Sequence, residues 1–165
     1  GHTDLFAALN QLGPECDDVA LLCFGQGPQE EDLRRRVNRM GLAGRVYFAG
    51  FRDDMERVLP LLTLVVHPAH AEGLGVALLE AQSCGIPVIA TAVGGIPEAI
   101  GSHATIVPVG DPMSIAQALD YAILRTSADQ RSALAAAARA HAMQFDRVNV
   151  FDRLFDRLAS AEVAA

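Results

Sequence analysis

Five short apolar runs, each closed by glycine, proline or charge and each followed by a stretch of helical period, restrict this chain to one kind of architecture. The runs are DVALLCFG (18–25), RVYFAG (45–50), LTLVVHP (62–68), IPVIATA (86–92) and ATIVPVG (104–110). Between them lie a helix over 28–41 with Pro28 at its start and arginines toward its end, a short helix near Asp53 to Leu59, a helix over 74–85 ended by Gly85, and a short IPEAIG helix. Strands that alternate with helices pair in parallel and need cover on both faces. The expected class is therefore α/β, a doubly wound parallel sheet. From Asp111 the chain turns helical: Asp111-Pro112 and Ser127-Ala128-Asp129 are start signals, and Phe151, Leu154, Phe155 and Leu158 form one apolar helical stripe in the tail. With 165 residues there is room for one sizeable core, so residues 1–165 are read as a single domain.

Composition removes several function classes. Thirteen basic against twenty acidic residues leave a net charge of −7, which argues against a nonspecific nucleic-acid surface or docking on anionic lipid. Every apolar stretch is interrupted well short of the roughly 20 residues a spanning helix needs. All basic residues are arginine, so no lysine exists to grip an anion. Cys16, Cys23 and Cys84 lack metal-type spacing and no signal peptide or lipidation motif is visible, so a reducing cytoplasm is the expected compartment.

In an open parallel sheet, ligands bind beyond the carboxyl ends of the strands. Read that way, Gly25-Gln26-Gly27-Pro28, Gly50-Phe51-Arg52-Asp53, His67 through Gly73, and Thr91 through Gly95 share one rim. Gly73, Gly75, Gly94 and Gly95 would let backbone N–H groups approach a ligand, and a helix beginning near Leu74 would aim its N-terminus at it, as suits a phosphate. Glu72 and Glu80 are separated by seven residues. Eight residues of helix rise about 12 Å, so the two acids hold separate polyol parts of an extended ligand. A pyrophosphate between a sugar and a ribose fits that layout. The remaining candidates have plainer readings: Gly25 to Glu30 is a strand-to-helix turn with glutamate where a dinucleotide fingerprint has its third glycine, His67 and His70 are rim residues without a third metal ligand, and Arg34, Arg35, Arg36 and Arg39 are a solvated helix face.

The stretch HPAHAEGLGVALLEAQSCGIPVIATAVGGIPEAI (67–100) resembles the E-x7-E region of the glycosyl transferases group one family, retaining enzymes of the GT-B fold that use sugar nucleotides. GQGPQEEDLRRRV (25–37) and RVYFAGF (45–51) resemble the segment just upstream. The resemblance, which runs from about Gly1 to Phe145, implies a Rossmann-like, donor-binding lobe. It implies that Glu72 faces the transferred sugar, that the backbone at Gly73, Leu74 and Gly75 lines the sugar and phosphates, that Glu80 holds the ribose, and that Gly50, Phe51 and Arg52 lie near the base. Leu74 stands where the family commonly has phenylalanine. The family's diphosphate-gripping Arg and Lys lie on a first strand and loop, just before a KGH whose end Gly1-His2 resembles; here they are absent, as is the acceptor-binding N-terminal lobe. The resemblance thus implies a lobe without its first strand, inactive alone, whose 147–165 helix packs on the N-terminal lobe. It implies transfer from a nucleoside diphosphate sugar to an acceptor hydroxyl with retention, no cofactor and no metal. Any membrane or lipid-linked acceptor would engage only through the absent lobe. Two other functions fit the same residues: a nucleotide-sugar epimerase lobe, which would form product without an acceptor, and a noncatalytic nucleotide-binding or interaction domain, which would bind without turnover.

Overall fold

A computed structural model describes residues 1–152. The chain runs α1 (His2–Leu9), β1 (Leu21–Phe24), α2 (Glu30–Arg39), β2 (Val46–Gly50), α3 (Met55–Val58), β3 (Val65–His67), α4 (Val76–Ser83), β4 (Val88–Thr91), α5 (Ile96–Ile100), β5 (Thr105–Val107), α6 (Pro112–Asp120) and α7 (Ala128–Ala142). All five apolar runs are strands, and every pairing is parallel.

The strands form two hydrogen-bonded ladders, β1 with β2 and β3-β4-β5, and among the described residues none joins β1 to β3. Strand β4 is covered on both faces, as its alternation shows: Val88 and Ala90 pack with Leu78, Ala81, Ile96 and Ile100, while Ile89 between them packs with Val107, Ile115 and Leu119 on the other face.

Helix α1 has no counterpart in the strand-and-helix alternation, which begins at Asp18. It lies across the boundary between the ladders. Leu5 and Ala8 join the cluster around Ile89 and Ile115, and Phe6 and Leu9 join Val37, Leu42 and Val46. Burying side chains of this size stabilises by about 1.5–3 kcal/mol each, so one helix holds both halves of the core.

Helix termini follow the expected chemistry, with shifts in their bounds. The helix expected over 74–85 begins at Val76, because Gly75 adopts a left-handed φ of 77° that interrupts it. It ends at Gly85, φ 73°, where Ile86 N–H returns to the Ala81 carbonyl at 3.0 Å. The helix expected to start at Pro28 starts instead at Glu30. Ser127 and Gln130 form a reciprocal capping box at α7. Residues 147–152 are helical and Phe151 is half exposed; Leu154, Phe155 and Leu158 of the tail stripe lie outside the described residues.

Asp111 caps α6, accepting from Met113 N–H at 3.0 Å, Ser114 N–H at 3.1 Å and Ser114 Oγ at 2.6 Å. The Ser114 hydroxyl first, then its backbone N–H, hold the Asp111 carboxyl below its ordinary range. A depressed carboxylate contributes stability that is fully present above the unfolded value of about 4 and is lost as pH falls through the lower folded value. Asp111→Asn keeps an acceptor but does not titrate. Thermal melts between pH 6 and 3 are expected to show a smaller acid-induced loss in that variant than in the parent, and equal losses would count against the assignment.

Candidate functional site

The rim expected from the sequence divides into two parts, one at the strand ends of each ladder. On one side the β3–α4 loop carries Glu72. Its Oε1 accepts from Gly73 N–H at 2.9 Å, and His67 Nε2 lies 3.1 Å from Oε2. The Gly73 amide first, His67 second and, last, the Gly75 amide hold the Glu72 carboxyl below its ordinary range. A carboxylate so placed is ionised at neutral pH and accepts only.

Three neighbouring elements fix this loop. Thr91, fully buried at the end of β4, donates its hydroxyl to the Ala69 carbonyl at 2.5 Å and also lies 3.4 Å from the His67 carbonyl. Gly95 N–H donates to the Gly73 carbonyl at 2.7 Å. A methyl group on Gly94 would stand 1.9 Å from the Glu72 carbonyl oxygen, and one on Gly95 would stand 2.7 Å from that of Gly73. These two glycines therefore admit the backbone of their own protein at close range. Gly75 is likewise packed, with a methyl there 3.1 Å from Leu78 Cδ1. Only Gly73 of the four faces open space.

The third element is the N-terminus of α1. A methyl on Gly1 would fall 1.5 Å from the Pro68 carbonyl oxygen, and Asp4 Oδ2 lies 2.6 Å from His70 Nε2. His2, half buried, is held below the ordinary histidine range by burial first and by His67 as well. Two helices, α1 and α4, thus begin at the Glu72 loop. Their unpaired N–H groups and positive dipole ends favour an anion there.

Glu80 lies on α4 and is exposed. With the helix starting at Val76, its rise above the helix start is about 6 Å. Its side chain makes no hydrogen bond or ion pair among the described residues, and only its carbonyl is engaged, by Ser83 Oγ at 2.7 Å and Cys84 N–H at 3.1 Å. On the other side of the rim, Gly50 ends β2 with φ 71° and accepts from Gly25 N–H at 2.8 Å, which joins the ends of β1 and β2. Phe51 is 70% exposed. Arg52 is engaged by Asp54 through two bonds of 2.7 and 2.6 Å. Among the described residues these three make no hydrogen bond to the Glu72 loop.

Several expectations of a structural role are met. Arg34 pairs with Glu30 at 2.8 Å and lies over the Phe48 ring, and Arg35 pairs with Glu31 and Asp32. Cys23 is pushed up to about 11 by burial, as for an inert packed thiol. Sequence reasoning missed His67 as the partner of Glu72. The available signal was its place as the last residue of an apolar run, five positions ahead of the acid. Thr91, Gly1 and Asp4 carried no comparable signal, because each acts through a chain-distant contact. Among the described residues no group of three or more His, Cys, Asp or Glu is arranged to hold a metal ion, and no helix is long and apolar enough to cross a membrane.

The family model described as glycosyl transferases group 1 matches residues 1–124. The 2-deoxystreptamine N-acetyl-D-glucosaminyltransferase of Streptomyces fradiae is 39% identical over 118 residues, which are 69% of this chain and 28% of that enzyme. Anabaena HepE in complex with UDP-glucose superposes with a TM-score of 0.82 at 30% identity, covering 97% of this chain and 45% of that one. The C-terminal domain of the group 1 family protein LpcC from Francisella tularensis superposes with a TM-score of 0.71 at 25% identity, covering 88% of this chain and 78% of that domain. The chain thus spans under a third of the length of the curated relative and most of a solved C-terminal domain.

Proposed function

Since the chain belongs to the glycosyl transferases group 1 family, we propose that residues 1–165 are its donor-binding lobe, holding a nucleoside diphosphate sugar for transfer to an acceptor hydroxyl with retention at the anomeric carbon. The observation that carries this is the position of Glu72: an ionised carboxylate on the loop after β3, beside the starts of α1 and α4. Diphosphate occupies the space near the helix starts, with the open side of Gly73 nearest to it. Glu72 accepts from hydroxyls of the donor sugar, Glu80 from the ribose, and the exposed Phe51 ring at the Gly50–Arg52 turn offers a stacking surface for the base. The free edges of β1 and β3 among the described residues support a further strand between them. Cytoplasmic location agrees with the nucleotide-sugar pool such a donor site requires.

In the reaction the acceptor oxygen bonds to the anomeric carbon as the bond from that carbon to the diphosphate oxygen breaks, and the hydroxyl proton passes to the departing diphosphate. The protein's part is to orient the donor and to stabilise charge on the leaving group. Calorimetric titration of the full-length protein with UDP, GDP and ADP tests the reading, one of the three being expected to bind well above the others. Glu80→Gln is expected to weaken that nucleotide by tenfold or more, about 1.5 kcal/mol, the scale of a hydrogen bond to a charged group. Unchanged affinity removes Glu80 from the site, and a product of inverted anomeric configuration by NMR removes the retaining assignment.

A further inference from the structure

The two partners of the Glu72 carboxylate differ in what they are attached to. Gly73 N–H belongs to the same loop and moves with it. His67 is the last residue of β3, in register with Ala90 of the fully buried strand β4, and its own carbonyl lies by the buried Thr91 hydroxyl. Among the described residues, His67 is therefore the one side chain that ties the carboxylate to the sheet. A carboxylate has no proton to give at neutral pH, so the 3.1 Å contact has Nε2–H donating to Oε2. Across the site, His2 of α1 also lies near this ring.

We propose that His67 is a positioning residue: its Nε2–H, mounted on the end of β3, holds Glu72 Oε2 and sets how the carboxylate meets the donor sugar. This rests on the reading that Glu72 faces that sugar. A carboxylate turned by one staggered rotamer no longer meets the same hydroxyl, and misplacement on the ångström scale is enough to cost a large part of a rate. Histidine suits the task because its ring is stiff, its donor lies far from the backbone, and the sheet fixes its base.

Two measurements test it. In the chain itself, ¹⁵N NMR of the His67 ring is expected to show the Nε2–H tautomer and to change on Glu72→Gln; an Nδ1–H tautomer, or indifference to the substitution, overturns the contact. In the full-length transferase, with UDP as binding probe and UDP release from the preferred donor as turnover, His67→Ala is expected to lower kcat about tenfold. UDP affinity should stay within twofold, and His67→Gln, which offers an amide donor, should recover most of the rate. His67→Leu replaces the alanine variant where that one fails to fold. Equal loss in the Ala and Gln variants, or UDP affinity falling in step with kcat, assigns His67 a merely structural part and overturns the proposal. Glu72→Ala run alongside separates the two levels: if it is impaired while His67→Ala is not, the positioning role alone falls, and if it turns over normally, the reading of Glu72 falls and takes this one with it.

Discussion

Glu72→Ala in the full-length transferase is expected to reduce turnover by at least a hundredfold, about 2.7 kcal/mol in activation free energy, while leaving nucleoside diphosphate affinity near its parent value. The split follows from the bonds the carboxylate makes. Its removal takes away the group that would meet the sugar, yet it frees the Gly73 amide, whose acceptor is then gone. A freed amide beside two helix starts favours an anion, so binding of the bare nucleotide has no reason to fall. Glu72→Gln is the informative companion, since it retains an acceptor for Gly73 but loses the charge. Kinetics with donor, set beside titration with the diphosphate alone, decide the matter. Parallel loss of both quantities in the alanine variant would mean that Glu72 holds the nucleotide or the loop and has no separate role at the sugar.

Gly94→Ala is expected to be as damaging through its packing against the Glu72 loop. At φ 52° an L side chain is already disfavoured, and the added methyl would sit 1.9 Å from the Glu72 carbonyl oxygen. Backbone cannot yield there cheaply, because Gly95 N–H is bonded to the Gly73 carbonyl at 2.7 Å and Ile96 behind it is fully buried. Either the β4–α5 turn or the Glu72 loop must move. The expected outcome is a loss of about 3 kcal/mol in unfolding free energy together with turnover reduced as far as in Glu72→Ala. Denaturant unfolding and steady-state kinetics on the same preparation measure both. A variant with parental stability and rate would show that the loop tolerates displacement and that the close packing is incidental.

The strands and most helix termini were legible because their signals are local. Alternating apolar runs, Asp111 and Ser127 as caps, and Gly85 as a stop each act on their own neighbours in sequence, and each appears where expected. Residues 2–9 were not legible in the same way. Helix α1 is specified by what it packs against, and its apolar residues serve two clusters, one built on Val37, Leu42 and Val46 and the other on Ile89, Val107 and Ile115. The site shows the same division. Glu72 and Gly73 stand out from their spacing alone, whereas the supports of that loop come from β4, from the turn after it and from Gly1, at chain separations no short pattern encodes. The glycines were visible, but the carbonyls that Gly94 and Gly95 admit were not, since a glycine that admits a ligand and one that admits a neighbouring carbonyl look alike until the neighbour is known.

The split between the two ladders has a consequence for how the domain breathes. Among the described residues β4 is hydrogen-bonded on both sides and all four of its residues are buried, whereas β1 is bonded to β2 alone and none of its residues is fully buried. Cooperative units of different opening free energy follow from such differences in burial and pairing. The half that carries Glu72 is then the harder to open, and the half that carries Phe51 and the base-side turn is the easier. A nucleotide that touches both halves would close the weaker one onto the stronger, with α1 as the common axle.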